Sequence, residues 1–131
     1  MRSKMSQTSL YNPTQGMRPQ DVSSFRHVVL QVVVTAGGTA GAKLFFRASA
    51  QETPVPTFSS AATATNFHDT VQVKKLTDGS TINGSVGLDI TTTGVYLIEV
   101  NTNFISWLGL QIDTINGAVF TVDVVAAGGQ D

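Results

Sequence analysis

Residues 25–50 read Phe25-Arg-His-Val-Val-Leu-Gln-Val-Val-Val-Thr35, then Ala36-Gly-Gly-Thr-Ala-Gly41, then Ala42-Lys-Leu-Phe-Phe-Arg-Ala-Ser-Ala50. The first run has period two. Val28, Leu30, Val32 and Val34 share one face, and Val29, Gln31, Val33 and Thr35 share the other, which is how side chains alternate along a strand. The third run repeats the pattern, with Leu44, Phe46 and Ala48 opposite Lys43, Phe45, Arg47 and Ser49. The hexapeptide between them has no sizeable side chain to bury and supplies positive-φ positions, so it reads as a hairpin loop.

The same text continues toward the C-terminus. Pro54 and Pro56 end regular pairing, Val55 and Phe58 are expected to tuck an irregular edge onto the core, and residues 59–66 read as a loop of small residues. Val71 and Val73 mark a strand before the Asp78-Gly79 turn, and Asn83-Gly84 is a second turn, followed by the alternation Val86, Leu88, Ile90. After a turn at Thr91–Gly94, residues 95–100 place Tyr96, Ile98 and Val100 on one side. Residues 104–112 read as the longest late strand, with Leu108, Leu110 and Ile112 inward. Asn116-Gly117 is the strongest hairpin signal, because a type I′ turn requires positive φ at both central positions. Phe120, Val122 and Val124 then face inward on the last strand. Many short strands without helical periodicity imply an all-β fold, an antiparallel β-sandwich of jelly-roll or immunoglobulin-like build.

Residues 1–24 lack this rhythm. Pro13, Gly16 and Pro19 break any helix, and the apolar residues are sparse. The division expected is an extended N-terminal arm over 1–24 and a sandwich domain over 25–131, the body folding without the arm. Leu10, Tyr11 and Arg18 are the arm's expected contacts with a partner. Charge supports the division: residues 1–26 carry four basic side chains against one acidic, and residues 27–131 carry four against eight.

The chain has 131 residues, 13% of them charged, and a net charge of −1. The charged share is about half of what is usual, which leaves a neutral surface of Ser, Thr, Asn, Gln and Gly suited to a protein covered by neighbours. There is no cysteine, which removes disulfides, thiolate chemistry and Cys-type zinc sites. Arg2 and Lys4 are not followed by an apolar stretch of signal-peptide length, and no run reaches the ~20 apolar residues of a membrane span. The expectation is a protein soluble in the cytoplasm when made, with no membrane partner. Basic residues are too few and too scattered for direct nucleic-acid binding.

Catalytic signals are missing. His27 and His68 are far apart, no G-x-S-x-G occurs, and the carboxylates are scattered singly. Asp78-Gly79-Ser80-Thr81-Ile82-Asn83 lacks the oxygen spacing of a calcium loop. No enzyme, metal or cofactor is expected. Asn83-Gly84-Ser85 has the form of a glycosylation acceptor and reads as an ordinary turn. Trp107, Tyr96, Phe45 and Tyr11 are aromatics on which a sugar could stack. The faces opposite the expected core carry Val29, Val33, Phe45, Ile105 and Trp107. On one sheet these would form an apolar patch that calls for a cover, since an antiparallel sheet usually shows water a polar face.

The segments Gly41–Ser49, Thr93-Gly94-Val-Tyr96-Leu-Ile-Glu-Val100, Phe104–Ile112 and Asn116-Gly117-Ala-Val-Phe-Thr-Val-Asp-Val124 together resemble small β-sandwich structural proteins of tailed bacteriophages. The resemblance covers about residues 25–126. It departs at Gln51–Pro56, where that family often has a D-G-x-x-W segment. It implies a non-enzymatic virion component, best fitted as a capsid decoration (cement) protein or head-fibre base. The implied partners are the major capsid protein or other virion subunits, with self-association as a dimer or trimer. A carbohydrate- or receptor-binding module of the tail, and a neck or tail-completion protein, are the alternatives.

Overall fold

In the computed structural model, residues 8–50 and 71–128 are described. The expectations for Pro54, Val55, Pro56, Phe58, residues 59–66 and His68 lie outside the described residues, as do residues 1–7. Along the described chain run β1 (Thr8–Asn12), β2 (Gly16–Met17), β3 (Gln20–Asp21), β4 (His27–Ala36) and β5 (Lys43–Ser49). They are followed by β6 (Val73–Lys75), β7 (Thr81–Ile82), β8 (Leu88–Asp89), β9 (Gly94–Asn101), β10 (Trp107–Gln111) and β11 (Val119–Gly128). A seven-stranded sheet in the order β2-β1-β11-β4-β9-β6-β7 faces a four-stranded sheet in the order β3-β10-β5-β8. The chain is therefore all-β and antiparallel, with its core between the two sheets.

The pairing is nested. β1 pairs with β11, β3 with β10, β4 with β9 and β5 with β8, each antiparallel. The chain thus folds back as a long double ribbon, and the contacts β11–β4 and β10–β5 roll that ribbon into two layers. The inward sets match the period-two reading. Val28, Leu30, Val32 and Val34 from β4 meet Leu44, Phe46 and Ala48 from β5, Leu108 and Leu110 from β10, and Phe120, Val122 and Val124 from β11, all buried.

Two expected hairpins have a different role. The Gly-rich loop joins β4 in the larger sheet to β5 in the smaller one, and Asn116-Gly117 joins β10 to β11 across the same gap. The Asn116-Gly117 turn itself has the expected backbone: φ is +48° and +84°, and the Ala118 amide donates to the Ile115 carbonyl at 2.9 Å. Local turn chemistry sets the backbone, whereas the partner of each strand is set by burial. The crossing loops lock together at one end of the sandwich. The Thr39 amide donates to the Asn116 carbonyl at 3.1 Å, and the Lys43 amide to the Thr114 carbonyl at 3.0 Å. Gly37 lies so close to the 91–92 backbone that a Cβ would stand 2.0 Å from the Thr91 carbonyl oxygen, so no larger residue fits there.

The N-terminal segment corrects the expected division. β1 pairs with β11 through Thr8–Val124 and Tyr11–Val122, and β3 pairs with β10 through Asp21–Trp107 and Gln20–Leu108. Leu10 and Val22 are fully buried, and the Tyr11 ring stacks on Phe120 with centroids 4.7 Å apart. The Val22 amide donates to the Ser106 carbonyl at 2.8 Å. Residues 8–22 contain three short strands, β1 turning back onto β2, and these are strands of the body itself. The physical reason is that a strand of five residues, one place in from the sheet edge, needs few inward side chains, so its pattern is too short to register as alternation.

This generates a prediction. Leu10→Ala should lower unfolding free energy by about 2–4 kcal/mol in denaturant melts, the usual range for a core leucine truncation. Deletion of residues 1–24 should abolish the cooperative transition. A truncated chain that melts like the full one would contradict the integration of β1 and β3.

Candidate functional site

The residues expected to form one apolar face do not share a sheet. Val29 and Val33 lie on the outer face of the larger sheet through β4, whereas Phe45 and Trp107 lie on the outer face of the smaller sheet through β5 and β10. Ile105 precedes β10 and packs half-buried against the core. Alternation along a strand tells inward from outward but does not say which sheet the strand joins, and that is why the single patch fails.

The outer face of the smaller sheet is occupied by its own chain. A Cβ at Gly87 would stand 2.8 Å from the Phe45 ring, so the 83–87 turn lies directly on that ring. Arg47 and Gln111 are both buried, with Arg47 Nη1 donating to Gln111 Oε1 at 3.1 Å. Trp107 is half-buried opposite Ser49 and Asp21.

The outer face of the larger sheet is open. Val33 lies between Val95 and Thr121, and Gln31 between Leu97 and Asp123. Val95 is 60% exposed, Val119 45% and Leu97 38%. Val29 stands between Glu99 and Ala126, and Glu99 pairs in register with Lys74. This stripe, apolar along the middle with charge to its side, has the composition of a docking surface. It keeps Val29 and Val33 from the expected set and adds Val95, Leu97 and Val119. Their alternation with Tyr96 and Ile98 was the legible signal.

Of the expected arm contacts, Leu10 and Tyr11 are buried in their own chain and are unavailable to a partner. Arg18 is exposed beyond β2, with its Nη1 donating to Gln15 Oε1 at 2.7 Å. Of the four aromatics considered for sugar stacking, Tyr96 lines a cleft. That cleft, of roughly 350 Å³, opens where β6, β7 and β9 approach β8, and Lys43, Lys75, Ile82, Leu88, Asp89 and Thr92 also line it. Lys75 Nζ lies 5.4 Å from the Tyr96 ring centroid, a cation–π distance.

Two carboxylates flank the cleft with their charge secured. Asp89 Oδ1 accepts from the Thr91 hydroxyl at 2.7 Å and its amide at 3.0 Å. Asp78 Oδ1 accepts from the Ser80 hydroxyl at 2.6 Å and its amide at 2.9 Å. These hydrogen bonds, assisted by nearby lysines, hold both carboxyls below their ordinary value of 3.8. Asn83 closes the same kind of turn onto Ser85, in keeping with reading Asn83-Gly84-Ser85 as a turn.

Phe104, expected to open the strand over 104–112, lies outside β10. It follows β9 in a turn closed by Ile105 N donating to the Thr102 carbonyl at 3.0 Å. Its φ is +66° and it is 97% exposed. The left-handed backbone costs a bulky residue about 1–2 kcal/mol, and a ring left in water forgoes about 2 kcal/mol of burial. The polar triplet Asn101-Thr102-Asn103 before it was the available sign of a turn.

Among the described residues, no group of three or more His, Cys, Asp or Glu side chains is placed to hold a metal ion, and no helix is long and apolar enough to cross a membrane. No protein-family model matches the chain, and neither a curated protein nor a solved structure matches it.

A pH prediction follows from the two turns. Because both carboxyls are depressed in the folded chain, their contribution is fully present above 3.8 and is lost as pH falls through the lower folded values. Carboxyl carbon NMR titration should show Asp78 and Asp89 ionising below 3.8, and Ser80→Ala and Thr91→Ala should each move the matching midpoint upward. Unchanged midpoints in the variants would contradict the turn geometry as the cause.

Proposed function

We propose that this chain is a non-enzymatic structural protein of a tailed-bacteriophage virion, a capsid decoration protein that docks on shell subunits through the outer face of its larger sheet. Within the sandwich class we read the fold as a jelly roll. Setting β2, β6 and β7 aside as additions, the remaining eight strands run β1-β11-β4-β9 and β3-β10-β5-β8, the arrangement produced by rolling up four nested antiparallel pairs. Jelly rolls recur in viral capsid and lectin domains. Fold alone does not fix function, which lies in the surfaces and sites the fold presents.

The observation that carries the docking role is the stripe of exposed Val95, Leu97 and Val119 around half-buried Val33, on a sheet whose other face is committed to the core. The mechanism is energetic. A standard interface covers ~800 Å² on each partner, and apolar side chains removed from water there contribute about 25 cal/mol per Å² before the losses of association are counted. Added area across the joints between shell subunits raises the barrier to their separation. Under this reading the localisation is the virion, after synthesis in the host cytoplasm.

A lectin-like module of the tail is the second reading, favoured by the cleft in which Tyr96, two lysines and hydroxyl side chains converge. The neck or tail-completion role differs from the first only in its partner.

The test is binding of the purified chain to purified shells of the phage that encodes it, followed by cosedimentation. Val95→Asp together with Leu97→Asp should weaken binding at least about tenfold, because each buries an unpaired charge. The melting temperature should stay close to the parent's, as surface changes usually leave stability within about 0.5 kcal/mol. Unaltered shell binding by this variant would contradict docking through that face. Saccharide binding on a glycan array, lost in Tyr96→Ala, with no affinity for shells, would favour the second reading.

A further inference from the structure

Phe104 combines two unfavourable features at one position, a left-handed backbone and an aromatic ring in water. Its turn is pinned to the rest of the fold. Thr102 Oγ1 donates to the Phe25 carbonyl at 2.6 Å, the Thr102 amide to the Arg26 carbonyl at 2.7 Å, and the Asn103 amide to Asn101 Oδ1 at 3.0 Å. The ring is therefore presented from a fixed platform. Strain and exposure that survive at one rigid position point to a contact made outside the chain.

The molecule also has a receptor of matching chemistry. The cleft beside Tyr96 is lined by Ile82 and Leu88, by the Tyr96 ring, and by Lys43 and Lys75 with the Asp89 carboxylate near them. Such a lining suits an aromatic guest, through ring packing and cation–π attraction. Its volume of roughly 350 Å³ exceeds that of one phenyl ring. Knob and cleft lie at opposite ends of β9: Phe104 follows Asn101, its last residue, whereas Tyr96 and Thr92 lie at its start. One chain cannot fill its own cleft.

We propose that Phe104 of one copy inserts into the Tyr96–Lys75 cleft of a second copy. The contact is heterologous, head to tail, so it propagates into a ring where the rotation closes and into a filament where it does not. A lipid surface is the poorer occupant for this ring, since a single Phe without a flanking basic cluster anchors weakly. This association uses a different surface from the outer sheet face and does not depend on the docking of shells.

Sedimentation velocity on the full chain over a concentration series tests it. The parent should form species larger than a dimer, and Phe104→Gly should remain monomeric with association weakened at least about tenfold. The same variant should melt at a higher temperature, because glycine accepts the positive φ that phenylalanine resists; a ring with a structural role would lower it. Thr92→Trp, which fills the cleft from an exposed position, should also remain monomeric. Mixing the two variants leaves one knob and one cleft, so the mixture should stop at dimers. A parent that is monomeric throughout overturns the proposal, as does Phe104→Gly that associates like the parent. Glucose or glucuronic acid bound at the cleft of a monomeric parent, shown by NMR shifts at Tyr96, also overturns it.

Discussion

The pairing of β1 with β11 is the contact on which the other layers of the structure depend. It joins the first described strand to the last, so it closes the outermost turn of a nested ribbon whose inner turns are β3–β10, β4–β9 and β5–β8. Leu10 is fully buried and Tyr11 stacks on Phe120, while Met17 Sδ accepts from the Leu110 amide at 3.3 Å across the gap between the sheets. Without these groups the inner face of β11 would meet water along one side. The nested ribbon makes this demand of its first strands: they are short, come from the far end of the chain, and complete both sheets at once.

The sequence was most legible where strands are long and buried on one face. Val28 through Val34, Leu44 through Ala48 and Phe120 through Val124 alternate as a half-buried sheet requires, and their inward residues are the core. It was least legible where an element draws its order from distant partners. β1 and β3 have too few residues to show a period, and their burial is supplied by β11 and β10. The crossing loops differ from the hairpins expected for a related reason. Asn116-Gly117 has the backbone of a tight turn whether the strands beside it pair with each other or separate into different sheets, and only the competition for core surface decides between those outcomes.

The surfaces divide in the same way. Period two placed Val29, Val33, Phe45 and Trp107 outward, and all four point outward. It could not show that Phe45 lies under the 83–87 turn, or that Val33 gains Val95 as an open neighbour. Phe104 escaped the pattern for a stronger reason. Its left-handed backbone ends the strand that hydrophobicity alone would extend, so local conformation opposed the apolar signal. Among the described residues, the outer face of the larger sheet, the projecting Phe104 ring and a lysine-lined cleft are unclaimed by the core, a distribution suited to binding and assembly.

The most direct measurement of the central claim, that the N-terminal strands belong to the same cooperative unit as the rest of the sandwich, is native-state hydrogen exchange. The β1 amides bonded to β11 should exchange with the same opening free energy as Leu30 and Val32 in β4, since all must wait for the two sheets to part. Exchange of the β1 amides at the rate of an unstructured peptide, while β4 stays protected, would contradict it and restore a separable arm.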